Sequence, residues 1–92
     1  MLYRIEFRPE VEKDLQGMDK AIMMRIFRKI KWLSENFDYI SPEVLKGDWK
    51  GKYKLRIGDY RVIYNVNHST YLITIHLIGH RSKIYKSKGS GF

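Results

Sequence analysis

From residue 52 onward the hydrophobic pattern has a period of two. Tyr53, Leu55 and Ile57 are separated by Lys54 and Arg56, Tyr60, Val62 and Tyr64 by Arg61 and Ile63, and Ile73 and Ile75 by Thr74. Alternation puts successive side chains on opposite faces, so these runs are half-buried strands. Gly58-Asp59 between the first two runs is a two-residue hairpin signal, and residues 67–70 form the next turn. The expectation is a three-stranded antiparallel meander over residues 52–57, 60–66 and 71–79.

The hairpin also sets the register. A two-residue loop at Gly58-Asp59 pairs Ile57 with Tyr60, Arg56 with Arg61, Lys54 with Ile63 and Lys52 with Asn65, and paired residues share a face. A four-residue second loop pairs Val66 with Tyr71, Tyr64 with Ile73, Val62 with Ile75 and Tyr60 with Leu77. Tyr53, Leu55, Ile57, Tyr60, Tyr64 and Tyr71 then belong to one apolar face. The other face collects Lys52, Lys54, Arg56, Arg61 and His76, with His80 continuing that parity, and the only carboxylate expected near it is Asp59. Like charges directly opposite destabilise a sheet, so Arg56 across from Arg61 implies a bound anion, most economically a phosphate.

Upstream the period lengthens. Tyr3, Ile5 and Phe7 alternate as a strand until Pro9, and Val11 and Leu15 then recur at helical spacing up to Gly17. Asp19 is placed to cap a longer helix whose Ile22, Ile26, Ile30, Leu33 and Phe37 form a stripe. Two helices with a tight connection make an αα-hairpin. Residues 38–51 read as a loop anchored by Leu45 and Trp49, and residues 86–92 as a frayed tail. The fold class expected is α+β: an N-terminal strand, an αα-hairpin and the meander, in one sheet with the helices on one face. At 92 residues, a single domain spans 1–92.

Charge is segregated along the chain. The net +8 falls entirely after residue 48: Lys50, Lys52, Lys54, Arg56, Arg61, Arg81, Lys83, Lys86 and Lys88 face only Asp59. A field of one sign favours RNA, DNA or an acidic protein as partner. On the long helix Lys20, Arg25, Arg28, Lys29 and Lys31 precede Glu35 without an acid between them. They form either a solvated face or a polyanion contact. The chain has no cysteine, which excludes disulfides, thiol catalysis and Cys-ligated zinc and suits a reducing cytoplasm. No apolar run is long enough for a membrane span, and charged Arg4, Glu6 and Arg8 argue against a signal peptide. Nucleotide-binding glycine loops and paired carboxylates are absent, and His68, His76 and His80 are not spaced as a metal triad. No cofactor or metal is expected.

RNA supplies its own nucleophile. Cleavage by 2′-OH attack needs a base, cations for charge developing on phosphorus, and an acid for the 5′-oxygen. Lys52 or Lys54, crowded by other cations, is a candidate base; Arg61 and Arg81 are candidate phosphate clamps; His80 is a candidate acid; Tyr85 is placed to stack on a base. Arg56, Lys50, Lys83 and His76 are assigned to RNA binding around them. Spacing alone supports a nucleic-acid-binding α+β domain and leaves open whether it cuts or only binds.

The series Leu45-Lys46-Gly47, Lys52-Tyr53-Lys54-Leu55-Arg56, Gly58-Asp59-Tyr60-Arg61-Val62-Ile63-Tyr64 and Gly79-His80-Arg81, with Tyr85 beyond it, resembles the RelE branch of the RelE/ParE toxin superfamily. The resemblance implies a toxin of a type II toxin–antitoxin system, an endoribonuclease that cuts mRNA in the ribosomal A site without metal and leaves a 2′,3′-cyclic phosphate. It implies Lys52 and Lys54 as catalytic lysines, Arg61 as the phosphate-stabilising arginine, Arg81 as general acid and Tyr85 as the aromatic that orients substrate. Gly79-His80-Arg81 leaves two candidates for the acid, His80 and Arg81. Implied partners are mRNA on the ribosome, ribosomal RNA, and a RelB-like, partly acidic antitoxin. Two other readings stand beside it, a ParE-like DNA gyrase inhibitor and a non-catalytic module that binds nucleic acid or antitoxin.

Overall fold

The computed structural model describes residues 2–88. Strand β1 (Arg4–Phe7) runs into Pro9, which occupies the first turn of α1 (Pro9–Leu15), where its missing N–H costs nothing. Glu10 and Glu12 sit at the positive end of that helix. Gly17, at φ +78°, turns the chain through the left-handed region that glycine enters without a Cβ penalty. Asp19 then caps α2 (Lys20–Asn36), its carboxylate accepting from the Ala21 N–H at 3.0 Å and the Ile22 N–H at 3.4 Å. Asp19→Ala is expected to cost about 1 kcal/mol, measured as a lower urea midpoint at unchanged m-value.

The expected hydrophobic stripe is the buried face of α2. Ile26, Ile30 and Leu33 are buried, and Phe37, opening a 3-10 turn (Phe37–Tyr39), continues them into the core. With Tyr3 and Val11 they pack on Leu55, Ile57, Val62, Tyr64, Ile73, Ile75 and Ile78. The helical hairpin therefore covers one face of the sheet.

Among the described residues that sheet has five strands in the order β1, β5 (Leu72–His80), β4 (Tyr60–Asn67), β3 (Tyr53–Ile57) and β2 (Glu43–Val44). Strands β3, β4 and β5 form the expected antiparallel meander, and β1 adds to it parallel to β5. The fifth strand, β2, lies inside the segment read as a loop and pairs antiparallel with β3. Two residues are too few to carry a period, so the pattern conceals it.

The β3–β4 register is the expected one through Ile57↔Tyr60, Arg56↔Arg61 and Lys54↔Ile63, and the ladder ends at Tyr53↔Tyr64, before Lys52. Gly58, at φ +57°, is the first central residue of the hairpin turn, the position where a type II′ turn demands glycine. The β4–β5 register differs from expectation. Asn67 stays paired with Leu72 while its side chain accepts from the Ser69 and Thr70 N–H groups at 2.9 and 3.2 Å, so the turn comprises residues 68–71. Tyr71 ends that turn at φ +53° and is exposed rather than core.

A second shift arises from a β-bulge. Tyr64 pairs with Ile75, but Ile63 pairs with Leu77, leaving His76 as the extra residue. A single extra residue reverses the parity of everything after it. Ile78, not Leu77, consequently reaches the core, and His80 pairs with Tyr60 instead of joining the cationic face. Where β1 ends, the Asp14 carboxylate of α1 accepts the Ile78 N–H at 3.2 Å, and burial pushes that carboxyl up from its ordinary range.

The chain closes with α3 (Arg81–Lys88), so residues 86–88 of the expected tail are helical backbone, and 89–92 lie outside the described residues. Gly79 pairs with Arg61, on the face away from α1 and α2, and a Cβ there would stand 3.1 Å from Ile84 Cγ1. The start of α3 is thus folded against that second face.

Candidate nucleic-acid interface

The face of β3 and β4 opposite the helices carries Lys54, Arg56 and Arg61 because strand parity leaves them no other side. Edge strand β2 adds a carboxylate that the sequence reading did not place there. The Glu43↔Lys54 pairing brings Glu43 onto this face, where Arg56 donates to it through Nε at 2.9 Å and Nη2 at 3.0 Å. Lys54 Nζ reaches the same carboxylate at 3.3 Å. The Arg56 hydrogen bonds, followed by Lys54, hold the Glu43 carboxyl down at about 2.

This corrects the argument from repulsion. Arg56 faces Arg61 in the ladder, yet Arg56 is engaged by Glu43, while Arg61 Nη1 donates to the backbone carbonyls of Gly58 at 2.8 Å and Tyr60 at 2.9 Å. The pair does not require a bound anion to form. Lys54 and Arg61 are only 6% and 5% exposed, so their orientation is fixed by packing and by these partners.

Glu43 makes a testable contribution to acid stability. Its folded pKa is depressed from 4.5, so the stabilisation is fully present above pH 4.5 and is lost as pH falls towards 2. The side chain is 42% exposed, and solvent screening reduces the effect to about 1 kcal/mol. Glu43→Gln should flatten the fall in urea midpoint between pH 5 and pH 3 relative to the unsubstituted chain; parallel curves would show that the carboxylate does not act this way.

The other residues singled out from sequence lie along this face or away from it. Arg81 stands at the hairpin end of the face, its N–H donating to the Asp59 carbonyl at 2.8 Å and its Nε 3.8 Å from the Asp59 carboxylate. Lys52 and His76 lie towards the other end. Lys52 Nζ is 6.0 Å from the Trp49 ring centre, and the His76 ring is pushed down by burial first and then by Lys52 and Arg8. His76 Nε2 is buried without a hydrogen-bond partner. Lys50 is exposed beside the 3-10 turn (Gly47–Trp49).

His80 and Lys83 are not brought to this face. His80 packs edge-on against Tyr60 with ring centres 5.3 Å apart, and both residues line a cleft of about 420 Å³ shared with Lys13, Asp14 and Met18. His80 Nδ1 accepts the Ser82 N–H at 3.1 Å and lies 2.8 Å from Ser82 Oγ, so the ring caps the first turn of α3. Tyr85 belongs to the backbone of α3. Among the described residues no group of three or more His, Asp or Glu side chains comes together as a metal site, and no helix is long and apolar enough to cross a membrane.

The result is an α+β fold with a five-stranded mixed sheet, a helical hairpin on one face and a cationic cluster on the other. Residues 5–85 match the family model described as ParE toxin of type II toxin–antitoxin system, parDE. A chain of the archaeal RelE–RelB complex from Pyrococcus horikoshii is 34% identical, with 90% of this chain and 99% of that chain covered and a TM-score of 0.65. An Escherichia coli protein described as RelE-like toxin is 28% identical, covering 90% of this chain and 87% of its own length. The fold also matches a chain of the RelBE2 toxin–antitoxin complex of Mycobacterium tuberculosis, with a TM-score of 0.78 at 21% identity and 88% and 100% coverage. This chain belongs to the ParE toxin family of type II toxin–antitoxin systems and, within the RelE/ParE superfamily, to its RelE branch.

Proposed function

We propose that this RelE-like toxin is a ribosome-dependent endoribonuclease that cuts mRNA in the A site. The observation that carries the reading is the cluster of Lys54, Arg56 and Arg61 on one strand face, with Arg81 at its edge. Attack of the 2′-oxygen on phosphorus breaks the bond to the 5′-oxygen. The 2′-OH proton passes to a base on the toxin, the 5′-oxygen takes a proton from an acid, and a 2′,3′-cyclic phosphate remains. This route needs no cofactor.

The roles divide by surroundings. Lys54, ion-paired with Glu43, serves charge on the phosphate, as does Arg61. Lys52, with no carboxylate in an ion pair with it among the described residues, is the base. His80 is engaged in capping α3 and turned towards Tyr60, so the acid role goes to Arg81, whose side chain is 58% exposed. Tyr85, on the same helix, orients substrate. A RelB-like, partly acidic antitoxin is the proposed partner in the cytoplasm, supported by the RelE–RelB complexes among the structural relatives; mRNA and ribosomal RNA are the targets.

The ParE family match gives DNA gyrase inhibition as the second reading. Toxin added below the ribosome concentration should arrest a translation extract while leaving gyrase supercoiling unchanged. Supercoiling blocked at one toxin per gyrase, with translation intact, would reverse the assignment.

A further inference from the structure

Three of the α2 cations share a groove with the β3–β4 hairpin. Arg25, Arg28, Lys29 and Trp32 line an open groove of about 440 Å³ whose other wall is Arg56, Ile57 and Gly58 of the β3–β4 hairpin. No carboxylate lines the groove itself, although Glu43, outside it, holds Arg56. Arg25 reaches close to the hairpin turn: a Cβ on Gly58 would stand 2.8 Å from Arg25 Nη2, the far end of its side chain. Sequence positions some thirty residues apart thus supply four cations to one groove.

Two further observations bear on what the groove suits. Trp32 is 39% exposed, and Lys29 Nζ lies over one face of its ring, 3.8 Å from the centre, so a base would stack on the other. An exposed indole beside phosphate-binding cations suits a single-stranded nucleotide, which offers a base to the ring and a phosphodiester to the cations. An acidic peptide requires the cations alone. Lys29, Trp32 and Arg56 also line the adjoining depression that contains Glu43 and Lys54, so the groove is continuous with the cationic strand face.

We infer that the α2–hairpin groove is a track for single-stranded RNA flanking the strand held at Lys54 and Arg61, with Trp32 stacking on a base and Arg25, Arg28 and Lys29 on its phosphates. The inference rests on the reading of the strand face as an RNA site. It extends the contact around the β3 edge to the helical side of the molecule.

The test is fluorescence anisotropy of the full chain with a fluorescein-labelled 12-nucleotide 2′-O-methyl RNA, which has no free 2′-OH and reports binding alone. Trp32→Ala should weaken binding about tenfold, and Trp32→Phe should retain most of the affinity. Arg28→Ala should weaken it about threefold or more and lower the slope of log affinity against log salt by about 0.7. Unchanged affinity in both alanine variants would overturn the track. So would loss on Arg28→Ala without loss on Trp32→Ala, with polyglutamate displacing the RNA, the signature of an acidic protein partner. If the groove variants bind as expected while the chain cuts no mRNA, the track stands and the nuclease reading fails; cleavage with indifferent groove variants gives the converse.

Discussion

Arg81→Ala is expected to slow A-site cleavage by about 10²–10⁴-fold, the range for loss of a positioned general acid, without a comparable loss of stability. Its side chain is more than half exposed, and its Asp59 contact, at 3.8 Å between two exposed groups, contributes little to folding. Thermal melting within a few degrees of the unsubstituted chain, together with a slow single-turnover rate, is therefore the expected pair of results. Arg61→Ala provides a contrast. Arg61 is buried and its guanidinium tethers the Gly58 and Tyr60 carbonyls, so its removal lowers both the rate and the melting temperature. An Arg81→Ala protein that cuts at the normal rate would remove Arg81 from the chemistry.

The other large effect concerns the bulge. Ile78→Ala is expected to destabilise the fold by about 2–5 kcal/mol, enough to lower Tm by roughly 10 °C or more in a domain of this size. Leu77→Ala, at a half-buried position on the opposite face, should cost less than half as much. Ile78 is 2% exposed and belongs to the cluster packed under α1 and α2, whereas Leu77 does not. A regular β4–β5 ladder would reverse this order, because Leu77 would then face the helices. Chemical denaturation of the two variants decides between them.

The bulge also marks where the sequence is legible and where it is not. The hairpin register could be read because Gly58-Asp59 fixes the loop length, and α2 could be read because its stripe and its Asp19 cap agree. The β5 parity could not be inherited from the hairpin, since nothing in a strict alternation announces an inserted residue. One signal was present: Leu77 and Ile78 are adjacent apolar residues directly after the alternating stretch Ile73–Leu77, which is how a reversal of faces looks. Glu43 was hidden for a different reason. Pro42 and Gly47 make its segment read as a loop, and only the β2–β3 pairing carries its carboxylate to Lys54 and Arg56.

These two differences alter the chemistry assigned to the site. His80, grouped with the cations by uninterrupted alternation, is instead paired with Tyr60 and caps α3. The cationic face, expected without a carboxylate other than Asp59, has Glu43 at its β2 edge. Arg56 and Lys54 are thereby held before any substrate arrives, and preorganised cations are the ones that stabilise a charge developing in a transition state. The same edge joins the strand face to the α2 groove through Arg56, Lys29 and Trp32.

Primer extension on mRNA in programmed ribosomes, run beside free mRNA under the same EDTA conditions, tests the central claim most directly. The account predicts cuts within the A-site codon only when ribosomes are present, abolished by 2′-O-methylation of the attacked nucleotide and by Arg81→Ala. Intact mRNA on ribosomes exposed to folded, antitoxin-free toxin would contradict it and leave the cationic face a binding surface.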